Sequence, residues 1–330
     1  TGHRGYIGAH LVDVLQQAGH HVVGCDLGLF DGCEWAPVPA PEREIRRDVR
    51  DLREADLDGC DVVCHLAAIS NDPMGDLQED LTLAVNRDAS IRLAQVAKRA
   101  GVGRFLFSGS CSVYGKGVKL DLDESDPLQP LTAYARSKIE AEAAILALAD
   151  DGFSPASLRN ATCYGDSPML RVDLVANNLL ASALSYGEIR IQSDGTPWRP
   201  LVHCRDVARA FRAFAEAPRE AIHARALNVG ANEENHQVRD VAAQVERLMP
   251  EARVTFTGEV GADPRNYRVR FDRLRAALPD FRLEYSLASG MEELFQRMRE
   301  RGFGAADFES DRFVRLRTLR GRMERLGLAA

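Results

Sequence analysis

The sequence predicts an α/β protein with a doubly wound parallel sheet and a smaller C-terminal lobe. Short apolar runs alternate with segments of helical periodicity along the first half of the chain, and a glycine-rich turn opens the first helix. This alternation calls for crossover connections, which make the strands parallel. Ligands of such sheets bind outside the carboxyl ends of the strands, where small and polar residues follow the apolar runs. We therefore expect a ligand site along that edge.

The first element is a glycine-rich turn at residues 2–8, of the form G-x-x-G-x-x-G, which leads into an amphipathic helix. Glycines allow the backbone to approach a pyrophosphate, and the helix N-terminus offers oriented N–H groups. Residues 20–25 then form a predicted strand that ends at Asp26, about 20 residues beyond the glycines. A carboxylate there hydrogen-bonds the adenosine ribose and repels a 2′-phosphate, which favours NAD over NADP. The alternative is a solvated aspartate at a strand end.

The chain opens at Thr1 and Gly2 with no apolar strand ahead of the glycine-rich turn. Because this turn normally follows a strand, we expect a short N-terminal strand to precede Thr1 in the complete protein.

Further elements follow in the expected alternation. Low periodicity and the presence of Gly and Pro predict a loop at residues 27–41. The remaining elements of the first half are a strand at 44–47, a strand at 61–68, a helix at 81–100 with Asn86 as its polar exception, and a strand at 104–107 that leads into Ser108–Gly115.

Tyr134 and Lys138 are four residues apart at the start of an apolar-periodic segment, so they share one face of a helix. A free tyrosine titrates near pH ~10 and needs a fixed cation nearby to act as a base at neutral pH. A lysine one turn away is placed to be that cation. The alternative is an ordinary helix start with an exposed lysine.

Composition excludes several function classes. The chain has 330 residues, of which 45% are hydrophobic and 28% charged, and its net charge of −7 argues against nucleic acid or a membrane surface as partner. No apolar run approaches the ~20 residues of a membrane span, and no signal-like N-terminus is present, so we expect a cytoplasmic protein. The seven cysteines form no Cys-x-x-Cys, which predicts buried thiols and no metal site.

These motifs follow in the order and spacing of the extended short-chain dehydrogenase/reductases. Within them the chain resembles the NAD-dependent epimerase/dehydratase family, which acts on nucleotide-diphosphate sugars. Downstream motifs at 158–165, 177–178 and 198–208 continue the resemblance. It implies an NAD-binding Rossmann domain at 1–165 and a mainly substrate-binding lobe at 166–330, with returning segments near 199–230 that complete the sheet.

The resemblance also implies a reaction. Tyr134 would act as general base or acid at a sugar hydroxyl, Lys138 would stabilise its phenolate and hold the nicotinamide ribose, and Ser110 would share the hydrogen bond to the substrate oxygen. A sugar carbon would pass a hydride to the nicotinamide, giving a keto-sugar intermediate.

The remaining site residues are assigned in the same way. The cofactor shell would comprise Gly2, Gly5, Tyr6, Ile7, Gly8, Asp26, Asp48, Val49, Leu66, Ala67, Ala68, Asn86, Ser108, Tyr134, Lys138 and Cys163. The nucleotide-sugar side would comprise Thr162, Asn178 and Arg199, with Arg265 or Arg268 as a second diphosphate partner.

Two departures from the family pattern bear on the reaction and on the substrate. Cys111 and Ser112 stand where family dehydratases carry an acidic pair, which disfavours dehydration and decarboxylation. Thr162 stands where the family usually has an asparagine that contacts the substrate, so this departure concerns recognition of the UDP-hexose and not the reaction type. Because Asp26 favours a recycled NAD, we expect a C4-epimerase. The alternatives are an NAD(P)H-dependent keto-sugar reductase or dehydratase, and a non-catalytic NAD-binding sensor, which would typically lack Tyr134 or Lys138.

The C-terminal third adds two helical predictions. Residues 291–298 form a helix, and the charge-rich segment 307–328 forms a helical tail with Phe313, Leu316, Leu319, Met323 and Leu326 at roughly helical spacing. Its alternating charges predict a solvated or subunit-covering face. The family resemblance implies a homodimer that pairs through helices 81–100 and 132–149.

Overall fold

Short strands, mostly in parallel pairs, form the centre of the protein, which a computed structural model describes over residues 1–70, 78–256 and 265–325. The strands of these residues are, in chain order, β1 (Val23–Asp26), β2 (Arg43–Arg46), β3 (Val62–His65), β4 (Arg104–Ser110), β5 (Asp121–Leu122), β6 (Ser154–Asn160), β7 (Thr162–Tyr164), β8 (Glu188–Ile191), β9 (Trp198–His203), β10 (Arg225–Val229), β11 (Asn235–Gln237), β12 (Arg253–Phe256) and β13 (Arg268–Val269). The main sheet has the parallel order β10-β6-β4-β3, and β1 pairs in parallel with β2.

Helices connect these strands. In the same part of the chain they are α1 (Gly8–Gln17), α2 (Glu79–Leu83), α3 (Ala89–Arg99), α4 (Ala133–Leu146), α5 (Val175–Tyr186), α6 (Cys204–Glu216), α7 (Arg219–Ile222), α8 (Val238–Leu248), α9 (Asp272–Ala277), α10 (Leu287–Glu300), α11 (Ala305–Glu309) and α12 (Arg315–Arg325). None of them is long and apolar enough to cross a membrane.

Alternating side chains on β4 show that the sheet is covered on both faces. Leu106 packs into a cluster with residues of α1 and α6, whereas Phe105 and Phe107 pack with residues of α3 and α4 on the opposite face. All three side chains are at most 1% exposed. The predicted doubly wound α/β fold is thereby confirmed.

Thr1 and Gly2 connect the two parallel sheets. The Thr1 amino group donates to the Cys64 carbonyl of β3 at 2.7 Å, and the Gly2 N–H donates to the Cys25 carbonyl of β1 at 2.8 Å. The glycine-rich turn therefore begins between β1 and β3. A strand ahead of Thr1 stays a prediction.

Three element predictions differ from the structure. β1 begins only at Val23, because His20 and His21 stay exposed. The predicted helix 81–100 is interrupted by a π-helical turn at Ala84–Asp88, which separates α2 from α3. Of the returning segments, β10 joins the main sheet, but β9 lies in another sheet with β7 and β11.

A second apolar cluster fills the C-terminal lobe. It combines buried residues of α5, α8 and α10 with Ile189 and Ile191 of β8, which pairs in parallel with β12. Tyr164 reaches this cluster from β7 and donates a hydrogen bond to the Ser286 carbonyl at 2.8 Å. The lobe thus packs on β7, which follows the carboxyl end of β6 in the chain.

The C-terminal segment is not the single helical tail that the sequence predicts. It is broken into α11, a 3-10 turn at Asp311–Phe313 and α12. Phe313 is fully buried in the apolar cluster of the C-terminal lobe. Leu319 is 4% exposed and packs with Ile69. The segment therefore packs on its own chain; the side chain of Met323 and the whole of Leu326 lie outside what the structure describes.

A buried ion pair fixes α4 to the sheet. Glu142 of α4 accepts hydrogen bonds from the Arg159 guanidinium at 2.6 and 3.1 Å and from the Ser157 hydroxyl at 2.6 Å. Both charged side chains are 7% exposed. Arg159 also donates to the Tyr114 hydroxyl at 3.2 Å, and Tyr114 donates to Asn228 of β10 at 2.8 Å. This network joins α4, β6, β10 and the turn after β4.

We expect Arg159→Leu to lower the free energy of unfolding by about 3–5 kcal/mol, because it leaves the Glu142 carboxylate buried without its partner. Urea denaturation measures the change. The double variant Arg159→Leu/Glu142→Leu should lose less than Arg159→Leu alone, since it buries no unpaired charge. A double variant that is less stable than the single one would contradict this account.

Candidate functional site

The glycine-rich turn and the start of α1 form one wall of a cavity. Gly2 has φ of +72°, and a Cβ there would lie 2.7 Å from the Ala67 nitrogen. A Cβ at Gly8 would lie 2.0 Å from the Gly2 carbonyl oxygen, so neither position admits a side chain. Helix α1 begins at Gly8 without a side-chain cap. The positive end of its dipole therefore suits an anion such as a pyrophosphate.

Asp26 stands at the carboxyl end of β1 and lines the same cavity. Its carboxylate accepts the backbone N–H groups of Arg4 at 3.1 Å and Gly28 at 2.8 Å, which fix its position. The nearby Arg4 guanidinium is paired with Asp31 at 2.9 Å and Glu34 at 3.1 Å. An arginine committed to two carboxylates is poorly placed to accept a 2′-phosphate, which agrees with the predicted preference for NAD.

Ser110, Tyr134 and Lys138 meet at the carboxyl end of β4. Ser110 ends this strand, and its hydroxyl accepts the Ser112 N–H at 3.2 Å. Helix α4 carries the other two residues in its first turns and is capped by Thr132, whose hydroxyl accepts the Ala135 N–H at 3.1 Å. The Lys138 ammonium lies 5.8 Å from the Tyr134 ring centre. All three line the cavity.

Lys138 is held as a buried cation. Its side chain is 4% exposed, its ammonium donates to the Ser108 carbonyl at 2.8 Å, and it lies 4.8 Å from the Phe107 ring centre. Burial lowers the pKa of Lys138 to about 8. The lysine therefore keeps its charge at neutral pH in surroundings where that charge acts strongly on a neighbouring phenol.

The cavity has a volume of about 950 Å³ and runs from the Asp26 end of the sheet to the C-terminal lobe. This volume is near the upper end of the ~300–1,000 Å³ typical of small-molecule sites. It brings together most of the sequence-predicted residues. Those in its lining are Gly2, Gly5, Tyr6, Ile7, Gly8, Asp26, Asp48, Val49, Leu66, Ala67, Ala68, Ser108, Ser110, Tyr134, Lys138, Thr162, Cys163, Asn178, Arg199 and Arg265.

Asn86 and Arg268 are not in that lining. The fully buried Asn86 side chain exchanges two hydrogen bonds with the Ile69 backbone, at 2.8 and 2.9 Å, and so fixes the segment after β3 from behind. Arg268 forms a bidentate ion pair with Asp121 at 2.6 and 2.7 Å, and its guanidinium lies 5.2 Å from the Trp198 ring centre. Of the two alternative arginines, the structure brings Arg265 to the cavity.

The lobe end of the cavity carries the other predicted substrate residues. Asn178 on α5 donates to the Val172 carbonyl at 2.9 Å, which orients its side chain. Arg199 on β9 donates to the Arg265 carbonyl at 2.5 Å and so joins the two predicted arginine positions. Guanidinium groups at this end suit phosphate oxygens.

Sequence reasoning missed several residues of the lining. Arg171 is 5% exposed, pairs with Asp173 at 2.9 Å through Nε and one terminal nitrogen, and donates to Ser70 at 3.1 Å through the other. Asn160, at the end of β6, donates to the Ser108 hydroxyl at 3.1 Å. Arg315 comes from α12. The charged pair within the apolar stretch 169–175 could have revealed Arg171, whereas nothing in the sequence places α12 at the cavity.

Comparisons with known proteins agree with this geometry. The family model of the NAD dependent epimerase/dehydratase family matches residues 1–230. The UDP-glucose 4-epimerase of Corynebacterium glutamicum is 29% identical, covering 71% of this chain and 74% of its own. The structure of MoeE5 in complex with UDP-glucuronic acid and NAD is 30% identical with a TM-score of 0.79, covering 91% of this chain and 97% of its own.

A further solved structure shows the fold alone. It is that of TunA, an NAD-dependent NDP-hexosamine 5,6-dehydratase involved in tunicamycin biosynthesis, with a TM-score of 0.81 and 23% identity. It covers 91% of this chain and 96% of its own.

We expect Lys138→Met to stabilise the folded protein at pH 7 by up to about 3 kcal/mol, because it removes a buried charge whose pKa is lowered from 10.5 to about 8. The cost of burying the ammonium is fully present below pH 8 and fades as the pH rises toward 10.5. The stability gain should therefore shrink over that interval.

Urea denaturation at several pH values measures this dependence, and Lys116→Met, at an exposed lysine, is the matched control. If the stability gain of Lys138→Met over wild type is no larger at pH 7 than at pH 10.5, burial of the ammonium does not cost folding free energy.

Proposed function

Because the chain belongs to the NAD-dependent epimerase/dehydratase family, we propose that it interconverts C4 epimers of a nucleotide-diphosphate sugar through a 4-keto intermediate. The observation that carries this proposal is the convergence of Ser110, Tyr134 and a buried Lys138 on one cavity whose other wall is the glycine-rich turn. NAD is the family's cofactor, and the residues of the turn fit it, since Gly2 and Gly8 let the turn fold closely on its own backbone and that of Ala67, so that backbone rather than side chains lines the cavity at the start of α1. The bound UDP-glucuronic acid and NAD of MoeE5 support the same pair of ligands here.

The proposed chemistry begins with proton transfer. Tyr134, as phenolate, takes the proton of the sugar 4-hydroxyl, Ser110 donates a hydrogen bond to the same oxygen, and the Lys138 ammonium stabilises the phenolate. Bound NAD supplies the hydride acceptor and then the hydride donor for C4. After the keto sugar turns its other face, Tyr134 returns the proton to the oxygen. No net oxidation results.

The acid–base groups present favour epimerisation over dehydration. Burial raises the pKa of the Cys111 thiol, which therefore stays neutral. The thiol donates to the Arg159 carbonyl at 3.1 Å, so its proton is held within the protein. The carboxylates among the described lining residues are Asp26 and Asp48 on the glycine-rich side and Asp173. Burial opposes ionisation of Asp173, but Arg171 holds its pKa below the ordinary value, which makes it a weak base.

At the substrate end we propose that Thr162, Asn178, Arg199 and Arg265 hold the nucleotide diphosphate. Their support is that all four line the lobe side of the same cavity and that the arginines bring positive charge to it. The homodimer through residues 81–100 and 132–149 stays a prediction, which sedimentation of the purified protein would check.

The proposal is tested by incubating the purified protein and NAD with a panel of nucleotide sugars that includes UDP-glucose and UDP-glucuronic acid. Absorbance at the NADH band is followed, and the sugars are then separated. A C4 epimer formed without net NADH supports the epimerase. Stoichiometric NADH or a deoxy-keto product contradicts it and favours the reductase or dehydratase alternative.

We expect Tyr134→Phe to reduce kcat by about 100- to 10,000-fold, because the variant keeps the ring but loses the group that moves the proton. NAD affinity, measured by titration calorimetry, should change little. Tyr186→Phe is the matched control, since it removes a phenolic hydroxyl that binds Glu309 on an exposed surface. Turnover retained in Tyr134→Phe would exclude Tyr134 as the base.

A further inference from the structure

Helix α12 closes one side of the cavity with its amino-terminal end. Val314, Arg315, Leu316 and Leu319 are in the lining, and Leu316 and Leu319 pack with residues such as Ile69 and Phe30. These contacts span the segments that follow β1 and β3. The end of the chain therefore contributes a wall to the site formed by the sheet.

Arg315 is the charged group of this wall. It is 3% exposed, donates to the Met169 carbonyl at 2.9 Å and the Arg312 carbonyl at 3.3 Å, and lies 4.7 Å from the Phe30 ring centre. In the residues that the structure describes, no carboxylate is within ion-pair distance of it. Its five N–H groups exceed the two carbonyl acceptors, so part of the fork is left for a ligand.

Arg171 offers a direct contrast in the same cavity. Its Nε and one terminal nitrogen donate to the Asp173 carboxylate, which neutralises its charge locally. Burial lowers the pKa of Arg315 to about 10, with Arg171 adding to the effect, while Asp173 acts on it only from beyond ion-pair distance. A buried guanidinium that faces a cavity without its own carboxylate is stabilised when a ligand brings negative charge.

The anchors of Arg315 locate that charge near the glycine-rich turn. The Met169 carbonyl that it binds belongs to a segment in which Ser167 donates to the Tyr6 carbonyl at 2.7 Å and accepts the Met169 N–H at 3.1 Å. Tyr6 lies within the turn at residues 2–8. Arg315 is thus anchored to a segment that contacts the turn directly.

We propose that Arg315, presented by the C-terminal helix, pairs with the diphosphate of a ligand bound in this cavity and makes α12 part of the binding site. The neighbouring Tyr6 favours the dinucleotide's diphosphate; the nucleotide sugar carries the same chemical group. The inference rests on the proposed function, which names NAD and a nucleotide sugar as the two ligands. That the family binds NAD supports the first of these.

The test compares Arg315→Gln with wild type in binding titrations of NAD, ADP-ribose, UDP and adenosine. Loss of a charge-assisted hydrogen bond should weaken NAD and ADP-ribose binding about 10- to 100-fold and leave adenosine, which has no phosphate, unchanged. Arg315→Lys should recover part of the affinity, since it keeps the charge without the planar fork. Arg320→Gln, an exposed arginine on the same helix, is the control for lost charge.

The outcomes separate the possible roles. Weaker UDP binding with unchanged NAD binding would assign Arg315 to the sugar nucleotide's diphosphate. Equal weakening of adenosine and NAD, or no change in any titration, would overturn the proposal and leave Arg315 a structural residue. Thermal unfolding of the variant shows whether it folds, and if it does not, the Arg315→Lys titrations decide between the same outcomes. Because these titrations need no turnover, they stand even if no nucleotide sugar is epimerised.

Discussion

The buried pair of Glu142 and Arg159 is the interaction on which the site geometry depends. It joins the helix that carries Tyr134 and Lys138 to the strand that ends at Asn160. Two charges buried to this extent are tolerated because each finds several partners, namely the Ser157 and Tyr114 hydroxyls besides one another. The attraction between the two charges and their hydrogen bonds offset the cost of desolvation. The geometry of these bonds leaves α4 few alternative positions. The catalytic roles proposed for Tyr134 and Lys138 need that restriction, because proton transfer is sensitive to distance.

Positive charge recurs along the cavity in three different states. The Lys138 ammonium is buried against a backbone carbonyl and an aromatic ring, Arg171 is paired within the protein, and Arg315 is paired with carbonyls alone. Each arrangement serves a different purpose. As a matter of electrostatics, a buried ammonium stabilises a nearby phenolate, a paired arginine is locally neutral, and a buried arginine without its own carboxylate is stabilised by an anion.

The residues beside Ser110 bear on the choice between epimerisation and dehydration in the proposed reaction. The two that follow it are the buried thiol of Cys111 and the hydroxyl of Ser112, and neither is a carboxylate. Cys111 is held by the Arg159 carbonyl, so the charge network that fixes α4 also occupies the thiol. Arg159 thus contacts both Cys111 in the cavity wall and Glu142, which fixes α4 to the sheet.

Local patterns of the sequence were enough to predict much of the fold and most of the residues that line the glycine-rich side of the cavity. Glycine spacing, Asp26 after an apolar run, and Tyr134 four residues before Lys138 are constraints that act within one or two elements, so a periodicity argument captures them. The same reasoning could not predict the π-helical turn around Asn86, because that turn accompanies hydrogen bonds to Ile69, which is distant along the chain.

Tertiary structure alone decided which arginines face the cavity. Arg265 and Arg268 look alike in sequence, yet Asp121 engages one of them and leaves the other at the cavity wall. Charge alternation in the tail predicts a solvated or subunit-covering face, whereas burial of Phe313 and Leu319 within the same chain brings Arg315 to the cavity. The doubly wound sheet and the helix that carries Tyr134 and Lys138 could be predicted from the sequence, since both follow from short-range periodicity. The arginine-bearing wall of the cavity could not, because burial and ion pairing depend on which distant segments meet in space.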